Sequence, residues 1–306
     1  QGLAASVFNE IEVACGTPCD VVGIDGLSEM ERQVLAEKYL VSEDFIRNSA
    51  YRSAYISANR GTSILVNEED HLRIQCMTAG LNLKEPLTMA MQIDDAVESR
   101  LDLAFDEKMG YLTSCPTNLG TGLRATVLLH LPGLTYTRNM HNIINISQQI
   151  GLSVEGLYGE GSEAAGNVFA MSNQLTLGLS ETDIIENLTG AVMEVIEHER
   201  RARKALLLYS KERLEDAIWR AYGILQYARA LGGDEVLELM SKVRLGMDLG
   251  LLHEVQRDRF GEVLLASRPN YIRNLAGTEN LSPPELDRRR AEVVRRVLAG
   301  DGKERE

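Results

Sequence analysis

Residues 62–76 read TSILVNEEDHLRIQC, and this stretch decides the kind of fold that the chain adopts. Two runs rich in β-branched and apolar residues stand on either side of the polar corner NEED at 67–70. Such a pattern predicts two strands, or one strand with a bend. Since alternate residues of a strand share a face, Glu69, His71 and Arg73 would point the same way. A carboxylate and an arginine would then share one surface.

The charged corner of this hairpin supports two interpretations. It is either a solvated turn with a local ion pair, or a site where acids, His71 and Arg73 act together on a ligand. Charged corners between strands are ordinary surface features, so the residues of this stretch alone favour the solvated turn.

The pattern around the hairpin predicts an α+β fold, with a mainly antiparallel sheet flanked by helices and a helical C-terminal region. The segment 50–58 is small and polar and predicts no element. Residues 85–107 have helical periodicity, with Pro86 near the start. Further strands are predicted at MGYLTS, in LRATVLLHLPG, and over 152–158 and 167–177.

The C-terminal third of the chain predicts only helices. A long amphipathic helix begins at Ser180 and Asp183, which have the spacing of a capping pair. Shorter helices are predicted to follow it, over 211–231, 234–245, 254–266 and 283–299.

The composition excludes several classes of protein. The chain has 306 residues, with 32 basic and 45 acidic side chains, a net charge of −13 and a pI of about 5.0. A general nucleic-acid binder needs a basic surface, so that class is excluded. The mean hydropathy is −0.15, and no apolar run reaches the roughly 18 residues of a membrane span. The four cysteines lack zinc-ligand spacing, and with no signal sequence they favour a reducing, cytoplasmic location.

Two further motifs combine glycines with chemically active side chains. CPTNLGTGLR at 115–124 can bring Cys115 and Arg124 to one site, although an ordinary turn with a buried thiol fits the same residues. YGEGSE at 158–163 carries two carboxylates, one of them Glu163, on a loop that can close over a substrate. The alternative for this loop is a mobile acidic hairpin.

The segments NEEDHLRI, CPTNLGTGLRA and GEGSEA, in this order and at these separations, resemble the phosphagen (guanidino) kinases. Within that superfamily the chain is most similar to the bacterial protein-arginine kinases. The resemblance is almost continuous from Val66 to Gly178 and extends to about Arg296. It implies a catalytic domain over residues 1–208 and a helical C-terminal domain over 209–306.

The resemblance also implies an activity and the residues that carry it. The γ-phosphoryl group of ATP would pass in line to a guanidinium nitrogen of an arginine side chain in a protein. Glu69, Glu163 and Cys115 match catalytic residues, and Glu68 matches a residue near the nucleotide's Mg²⁺, with no metal bound directly by the protein. Arginines suit phosphate because their planar fork pairs two oxygens. The ATP-binding residues implied are Arg73, Arg124, His71, Asn118, Gly120 and Thr121.

Partners are implied by the same resemblance. They are protein substrates with exposed arginines, a zinc-binding activator protein, an ATP-dependent protease complex and a second copy of the chain in a homodimer. The expected roles are tagging proteins for regulated proteolysis and controlling a heat-shock repressor. The net negative charge suits a cationic acceptor, and neither nucleic acid nor membrane is expected as a partner. Two alternatives stay open: a kinase for a free small guanidino compound, and a non-catalytic phosphoarginine-binding adaptor.

Two departures from the family's pattern bear on activity. The family's arginine-rich opening, Ser-Ser-Arg-x-Arg-Leu-Ala-Arg-Asn, is not found and would lie before Gln1, so we expect an N-terminally truncated chain that alone binds ATP weakly. Near the C-terminus, Asp287 and Arg290 match a phosphoarginine-binding motif whose first arginine is replaced by Leu286. A basic surface helix is the alternative for that stretch.

Overall fold

The computed structural model describes residues 19–157, 164–257 and 259–300. Its internal contacts divide the chain into two compact units. The first comprises Gln1–Ala125 and Asn173–Thr189. The second comprises Thr126–Ser172 and Gly190–Glu306.

The first unit is built on a four-stranded sheet. Its elements are β1 (Cys19–Gly23), α1 (Glu29–Glu37), α2 (Glu43–Arg47), β2 (Ser53–Ser57), β3 (Thr62–Val66), β4 (Leu72–Cys76), α3 (Lys84–Glu98), β5 (Phe105–Asp106) and β6 (Gly110–Tyr111). The first four strands pair in chain order, and every pairing is antiparallel. The antiparallel sheet predicted from the sequence is therefore confirmed, and β3 and β4 are the two strands predicted around the acidic corner.

Strand β3 is buried along its whole length because apolar side chains cover both faces of this sheet. Leu65 belongs to the cluster on one face, together with Phe45 of α2. Ile64 and Val66 belong to the cluster on the other face, together with Ile93 of α3. The alternation of side chains across a strand divides the residues in this way. Burial on both faces also accounts for the unbroken apolar run of this strand.

Two elements of the first unit differ from the sequence expectations. The segment 50–58, for which no element is predicted, contains β2, and Ala54 and Ile56 of that strand are completely buried. Pairing with β1 and β3 overrides the weak local signal of its small residues. The helix predicted over 85–107 ends at Glu98, and the rest of that stretch leads into β5.

The second unit contains a three-stranded sheet and most of the helices. Its sheet has the order β7-β9-β8, from the strands β7 (Thr126–His130), β8 (Leu152–Gly156) and β9 (Val168–Asn173). Its helices are α4 (Pro132–Tyr136), α5 (Met140–Gln149), most of α6 (Glu181–Tyr227), α7 (Gly233–Asp248), α8 (Arg259–Ala266), α9 (Pro269–Ala276) and α10 (Pro283–Ala299). The helical C-terminal region is confirmed, and α9 is a helix that the sequence pattern did not predict.

Helix α6 joins two segments that the sequence predicts as separate helices. It begins at the predicted cap, where the Ser180 hydroxyl lies 2.6 Å from the Asp183 carboxylate. Its backbone departs from helical geometry at Ser210, with φ −144° and ψ 25°. After that residue, buried side chains such as Ile218 pack with residues of α7 to α10 in one apolar core. Within the described part of the chain, no helix is both long and apolar enough to cross a membrane.

Candidate functional site

The acidic corner is a tight loop, and not the continuation of a strand. Residues 67–71 connect β3 to β4, and the backbone N–H of Asn67 donates to the carbonyl oxygen of His71 at 2.9 Å. Asn67 has a φ of +62°, a left-handed conformation that asparagine tolerates better than most residues. Strand alternation does not extend through such a loop. The prediction that Glu69, His71 and Arg73 share one strand face is therefore wrong.

Glu68 is enclosed by donors, and its side chain is only 8% exposed. One carboxylate oxygen accepts from the Ser42 hydroxyl at 2.6 Å and from the Arg73 guanidinium at 3.2 Å. The other accepts from the backbone N–H of Glu69 at 2.7 Å. Burial opposes ionisation, but these hydrogen bonds outweigh it and lower the pKa of Glu68 below its ordinary value. Glu68 is thus held as a carboxylate.

A single long-range hydrogen bond joins the acidic loop to the cysteine loop. The backbone N–H of Ser114 donates to the Asp70 carboxylate at 2.6 Å. Glu69 and Cys115 are the chain neighbours of these two residues, so this bond holds the backbones at the two predicted catalytic positions near each other in the first unit. Sequence reasoning missed Asp70, because strand alternation placed it opposite Glu69 and no local pattern signals so distant a contact.

Glu69 and Arg124 present free charged groups. Both side chains are exposed, and among the described residues neither has a hydrogen-bond or ion-pair partner. A ligand can therefore engage them without breaking contacts inside the protein. Arg73 already donates to Glu68, yet its side chain stays 47% exposed, and His71 is exposed as well.

Cys115 is a partly exposed free thiol at the start of a short 3₁₀ turn, Pro116–Asn118. Its sulfur lies 3.0 Å from the hydroxyl oxygen of Thr117. The carbonyl oxygen of Cys115 accepts from the backbone N–H of Asn118 at 3.0 Å, which closes the turn. The thiol is therefore held at the N-terminal end of a structured turn. It is partly exposed, so the alternative of a buried thiol is wrong.

Gly120 adopts a backbone conformation that glycine alone accepts readily. Its φ is +110°, and a Cβ at this position would lie 2.5 Å from the carbonyl oxygen of Thr176. The carbonyl oxygen of Gly120 accepts from the backbone N–H of Tyr111 at 2.8 Å, which ties the loop to β6. Thr121, the next residue, donates its backbone N–H to Thr176.

Two residues that sequence reasoning did not identify, Asn173 and Thr176, hold the loop that carries Arg124. The buried side chain of Asn173 accepts from the backbone N–H of Ala125 at 2.7 Å. It also donates to the carbonyl oxygen of Leu123 at 3.0 Å. The backbone on both sides of Arg124 is thereby fixed. These contacts join residues about 50 positions apart, so no local pattern could have revealed them.

The predicted phosphoarginine-binding residues lie on α10 in the second unit. Arg290 is only 3% exposed, and it donates to the carbonyl oxygen of Leu231 at 2.6 Å and to Asp287 at 2.5 Å. Its Nε has no hydrogen-bond partner among the described residues. Leu286, which stands where the family motif has an arginine, packs in the apolar core of this unit. Binding of phosphoarginine here stays a prediction.

Glu163 belongs to residues 158–163, which lie outside the described residues, so its role also stays a prediction. Over the part of the chain that the structure describes, no three His, Cys, Asp or Glu side chains cluster in a way that could hold a metal ion. Glu68 is instead a single enclosed carboxylate beside an arginine. Such a carboxylate can interact through a water molecule with a metal ion that a nucleotide carries.

The chain matches two family models that together cover most of its length. Residues 8–202 match the C-terminal catalytic domain of the ATP:guanido phosphotransferases, and residues 211–306 match the C-terminal domain of the protein-arginine kinase McsB. The duplicated taurocyamine kinase from Schistosoma mansoni has a similar fold, with a TM-score of 0.55 and 24% identity. That likeness covers 71% of this chain and 33% of the taurocyamine kinase chain. The fold is thus that of the guanidino phosphotransferases.

Curated relatives narrow the class further. The protein-arginine kinase of Halalkalibacterium halodurans is 46% identical over 290 residues, which cover 95% of this chain and 79% of that protein. The protein-arginine kinase of Desulforamulus reducens is 45% identical over 272 residues, covering 89% of this chain and 76% of that protein. The chain therefore belongs to the protein-arginine kinase family and is a phosphotransferase, as its three motifs predict.

Replacing Ser42 by alanine is expected to destabilise the protein in a pH-dependent way. The Ser42 hydroxyl accepts from the backbone N–H of Phe45 and so caps α2, and the loss of such a cap costs about 1 kcal/mol at any pH. The same hydroxyl donates to Glu68, whose lowered pKa stabilises the fold above the unfolded pKa and ceases to do so as pH falls through the folded pKa. The deficit of Ser42→Ala should therefore be largest near pH 7 and shrink on acidification.

Urea unfolding at neutral and acidic pH measures this deficit, and the Glu68→Gln background supplies the control. In that background the group that titrates is gone, so Ser42→Ala should cost the same at both pH values. A deficit that does not change with pH in the wild-type background would show that the hydroxyl stabilises only the helix.

Proposed function

We propose that this protein transfers the γ-phosphoryl group of ATP to the guanidinium group of arginine side chains in proteins. One observation carries the proposal: the hydrogen bond between Ser114 and Asp70 brings together the loops that bear Glu69 and Cys115. Membership of the protein-arginine kinase family indicates the reaction that such an arrangement would support, which is phosphoryl transfer to arginine. Both loops belong to the same compact unit as Arg73 and Arg124.

In the proposed reaction, a nitrogen of the acceptor guanidinium forms a bond to the γ-phosphorus while the bond from phosphorus to the leaving oxygen of ADP breaks. A guanidinium holds its protons up to a pKa above about 12, so one proton must leave as the nitrogen attacks. The free carboxylate of Glu69 accepts that proton and aligns the nitrogen. Glu163 is proposed as the second carboxylate that grips the acceptor.

The nucleotide phosphates are proposed to bind the arginines of the first unit. Arg124 offers a free guanidinium, and Arg73 offers the exposed part of one that also pairs with Glu68. Each guanidinium can donate to two phosphate oxygens at once. His71, Asn118, Gly120 and Thr121 complete the proposed nucleotide site.

Mg²⁺ bound with ATP would neutralise charge on the phosphates. Glu68 is the residue proposed to face it through water, because its hydrogen bonds hold it ionised. Cys115 is proposed to contact the acceptor guanidinium, with Thr117 fixing the direction of its sulfur.

Transfer of labelled phosphate tests this function. The protein is incubated with ATP labelled at the γ-position and, in separate reactions, with an arginine-rich protein or with free arginine. We expect acid-labile label on arginine side chains of the protein acceptor, and a loss of most of that label in Arg124→Ala. Label on free arginine but never on protein would favour a kinase for small guanidino compounds. An absence of label in both reactions would favour a phosphoarginine-binding adaptor.

The wider setting is proposed from the resemblance. Protein substrates with exposed arginines fit the net charge of −13, because a negative field raises their local concentration. We propose a cytoplasmic homodimer that tags proteins for regulated proteolysis, controls a heat-shock repressor, and works with a zinc-binding activator and an ATP-dependent protease complex. Phosphoarginine would bind near Asp287 and Arg290.

A domain boundary between residues 208 and 209 is proposed as well. The proposal is supported by the gap between the two matched family models, because one ends at residue 202 and the other begins at 211. The backbone break of α6 at Ser210 lies in the same interval. The compact units defined by contacts divide the chain at other points. The proposed boundary therefore separates the two regions that match different families, and it does not coincide with a division between the compact units.

A further inference from the structure

We propose that Thr176 is a positioning residue for the nucleotide, because its hydroxyl and carbonyl groups form hydrogen bonds with the stretch at residues 117–121 and hold it in place. That short stretch carries Asn118, Gly120 and Thr121. The inference rests on the proposed function, since the roles of those three residues in binding ATP are themselves proposals. The contacts that hold the stretch belong entirely to the first unit.

The side chain of Thr176 serves two backbone groups at once. Its hydroxyl oxygen lies 2.9 Å from the carbonyl oxygen of Thr117 and 2.7 Å from that of Leu119. One hydroxyl has one proton, so the two carbonyls share a single donor. The Thr117 carbonyl belongs to the peptide group that precedes Asn118, and the Leu119 carbonyl belongs to the peptide group that precedes Gly120. The hydroxyl therefore fixes the orientation of these two peptide groups.

The backbone of Thr176 fastens the far end of the same stretch. Its carbonyl oxygen accepts from the backbone N–H of Thr121 at 3.1 Å and lies 3.3 Å from the Thr121 hydroxyl. Gly120 packs directly against this carbonyl, since a Cβ on Gly120 would lie 2.5 Å from it. Thr176 thus holds both ends of the stretch that contains Asn118, Gly120 and Thr121.

Burial makes this contact matter energetically. Thr176 is 7% exposed, so water has little access to replace its hydroxyl. Among the described residues, the Thr176 hydroxyl is the donor to the carbonyls of Thr117 and Leu119. Its removal leaves both carbonyls without that donor, which is the costly way to lose a hydrogen bond. We therefore expect the backbone of residues 117–121 to move or become more mobile, because keeping its present conformation would leave a carbonyl oxygen unpaired.

Positioning matters for this reaction class because phosphoryl transfer relies on alignment and electrostatics, with little covalent chemistry by the protein. A displacement of about 1 Å can cost about 100-fold in rate. Thr176 makes its hydrogen bonds to the loop and not to a reacting group, so its effect should appear through ATP.

The test compares Thr176→Val, which removes the hydroxyl at nearly constant shape, with Thr176→Ser, which keeps it. We expect Thr176→Val to lower kcat/KM for ATP by about tenfold or more, with a smaller change in KM for the acceptor. Thr176→Ser should stay within about twofold of the wild type. Amide hydrogen exchange of residues 117–121 should quicken in Thr176→Val and not in Thr176→Ser.

Thr189→Val is the matched control, because it removes a hydroxyl that donates to the carbonyl oxygen of Ile185 at 2.6 Å, in the same unit but outside the loop. It should leave kcat/KM for ATP and the exchange of residues 117–121 unchanged. If Thr176→Val fails to fold, Thr176→Cys takes its place, since a thiol is a much weaker donor of similar size. The same results are expected of it.

Three results would overturn the inference: wild-type kinetics and exchange in Thr176→Val, equal damage from Thr176→Ser, or an equal effect from Thr189→Val. Failure of the proposed function is a different result. If the wild-type protein labels no acceptor, the proposed function fails, while the exchange of residues 117–121 still decides whether Thr176 fixes the loop.

Discussion

Replacing Glu69 by glutamine is expected to lower kcat for arginine phosphorylation by about 100-fold or more, with little change in stability. A positioned general base contributes roughly 10²- to 10⁴-fold to rate, and an amide cannot accept the proton of the acceptor guanidinium. The Glu69 side chain is exposed and has no partner among the described residues, so the substitution breaks no internal contact. Steady-state kinetics with saturating ATP and a protein acceptor measure the change.

Glu107→Gln is the matched control for the lost charge. Glu107 is an exposed carboxylate of the same unit, and we give it no part in the reaction. Its variant should keep kcat within about twofold of the wild type, since surface substitutions away from a site rarely matter. A Glu69→Gln protein with wild-type kcat would mean that another group takes the proton.

Replacing Gly120 by alanine is expected to destabilise the protein by about 2–5 kcal/mol and to abolish most activity. The added Cβ would lie 2.5 Å from the carbonyl oxygen of Thr176 and 2.8 Å from the Cα of Leu177. Both are backbone atoms of a segment that other hydrogen bonds hold, so neither can turn aside as a flexible side chain would. Urea unfolding and the phosphate-transfer assay measure the two effects.

Gly122→Ala, two residues further along the loop, is the control for Gly120→Ala. It distinguishes the steric clash of the added Cβ from the free-energy cost of a positive φ. Gly122 also has a positive φ, of +63°, but the atoms nearest to a Cβ there are 4.0 Å away. Alanine at this position should cost only about 1 kcal/mol and leave activity largely intact. Equal losses from the two alanine variants would show that conformation alone, and not the contact with Thr176, sets the requirement for glycine.

The sequence predicted those parts of the fold that depend on local periodicity. The two strands around the acidic corner, the antiparallel sheet and the C-terminal helices all follow from patterns of two or 3.6 residues. Strand β2 was missed because its local signal is weak, and its neighbours β1 and β3 supply the pairing that makes it a strand. At the acidic corner, the error came from extending strand alternation into the loop at 67–71.

The candidate site shows the same limit. Its charged residues could be named from three motifs, and the same motifs resemble the family to which the chain belongs. The residues that hold the motifs in place could not be named. Asp70, Thr176 and Asn173 act through contacts with distant parts of the chain, and Ser42 acts on Glu68, 26 positions away. Such contacts exist only once the chain has folded, so no pattern of neighbouring residues can reveal them.

The two hydrogen bonds of the Ser42 hydroxyl couple the folding of a short helix to the position of the Glu68 carboxylate. This hydroxyl both caps α2 and holds the carboxylate of Glu68, and helix ends are among the first parts of a protein to open on warming. If α2 opens before the rest of the first unit, Glu68 loses the Ser42 donor while that unit is still folded. Activity should therefore decline at a temperature below that of global unfolding, and the difference between the two temperatures would report the local stability of this helix.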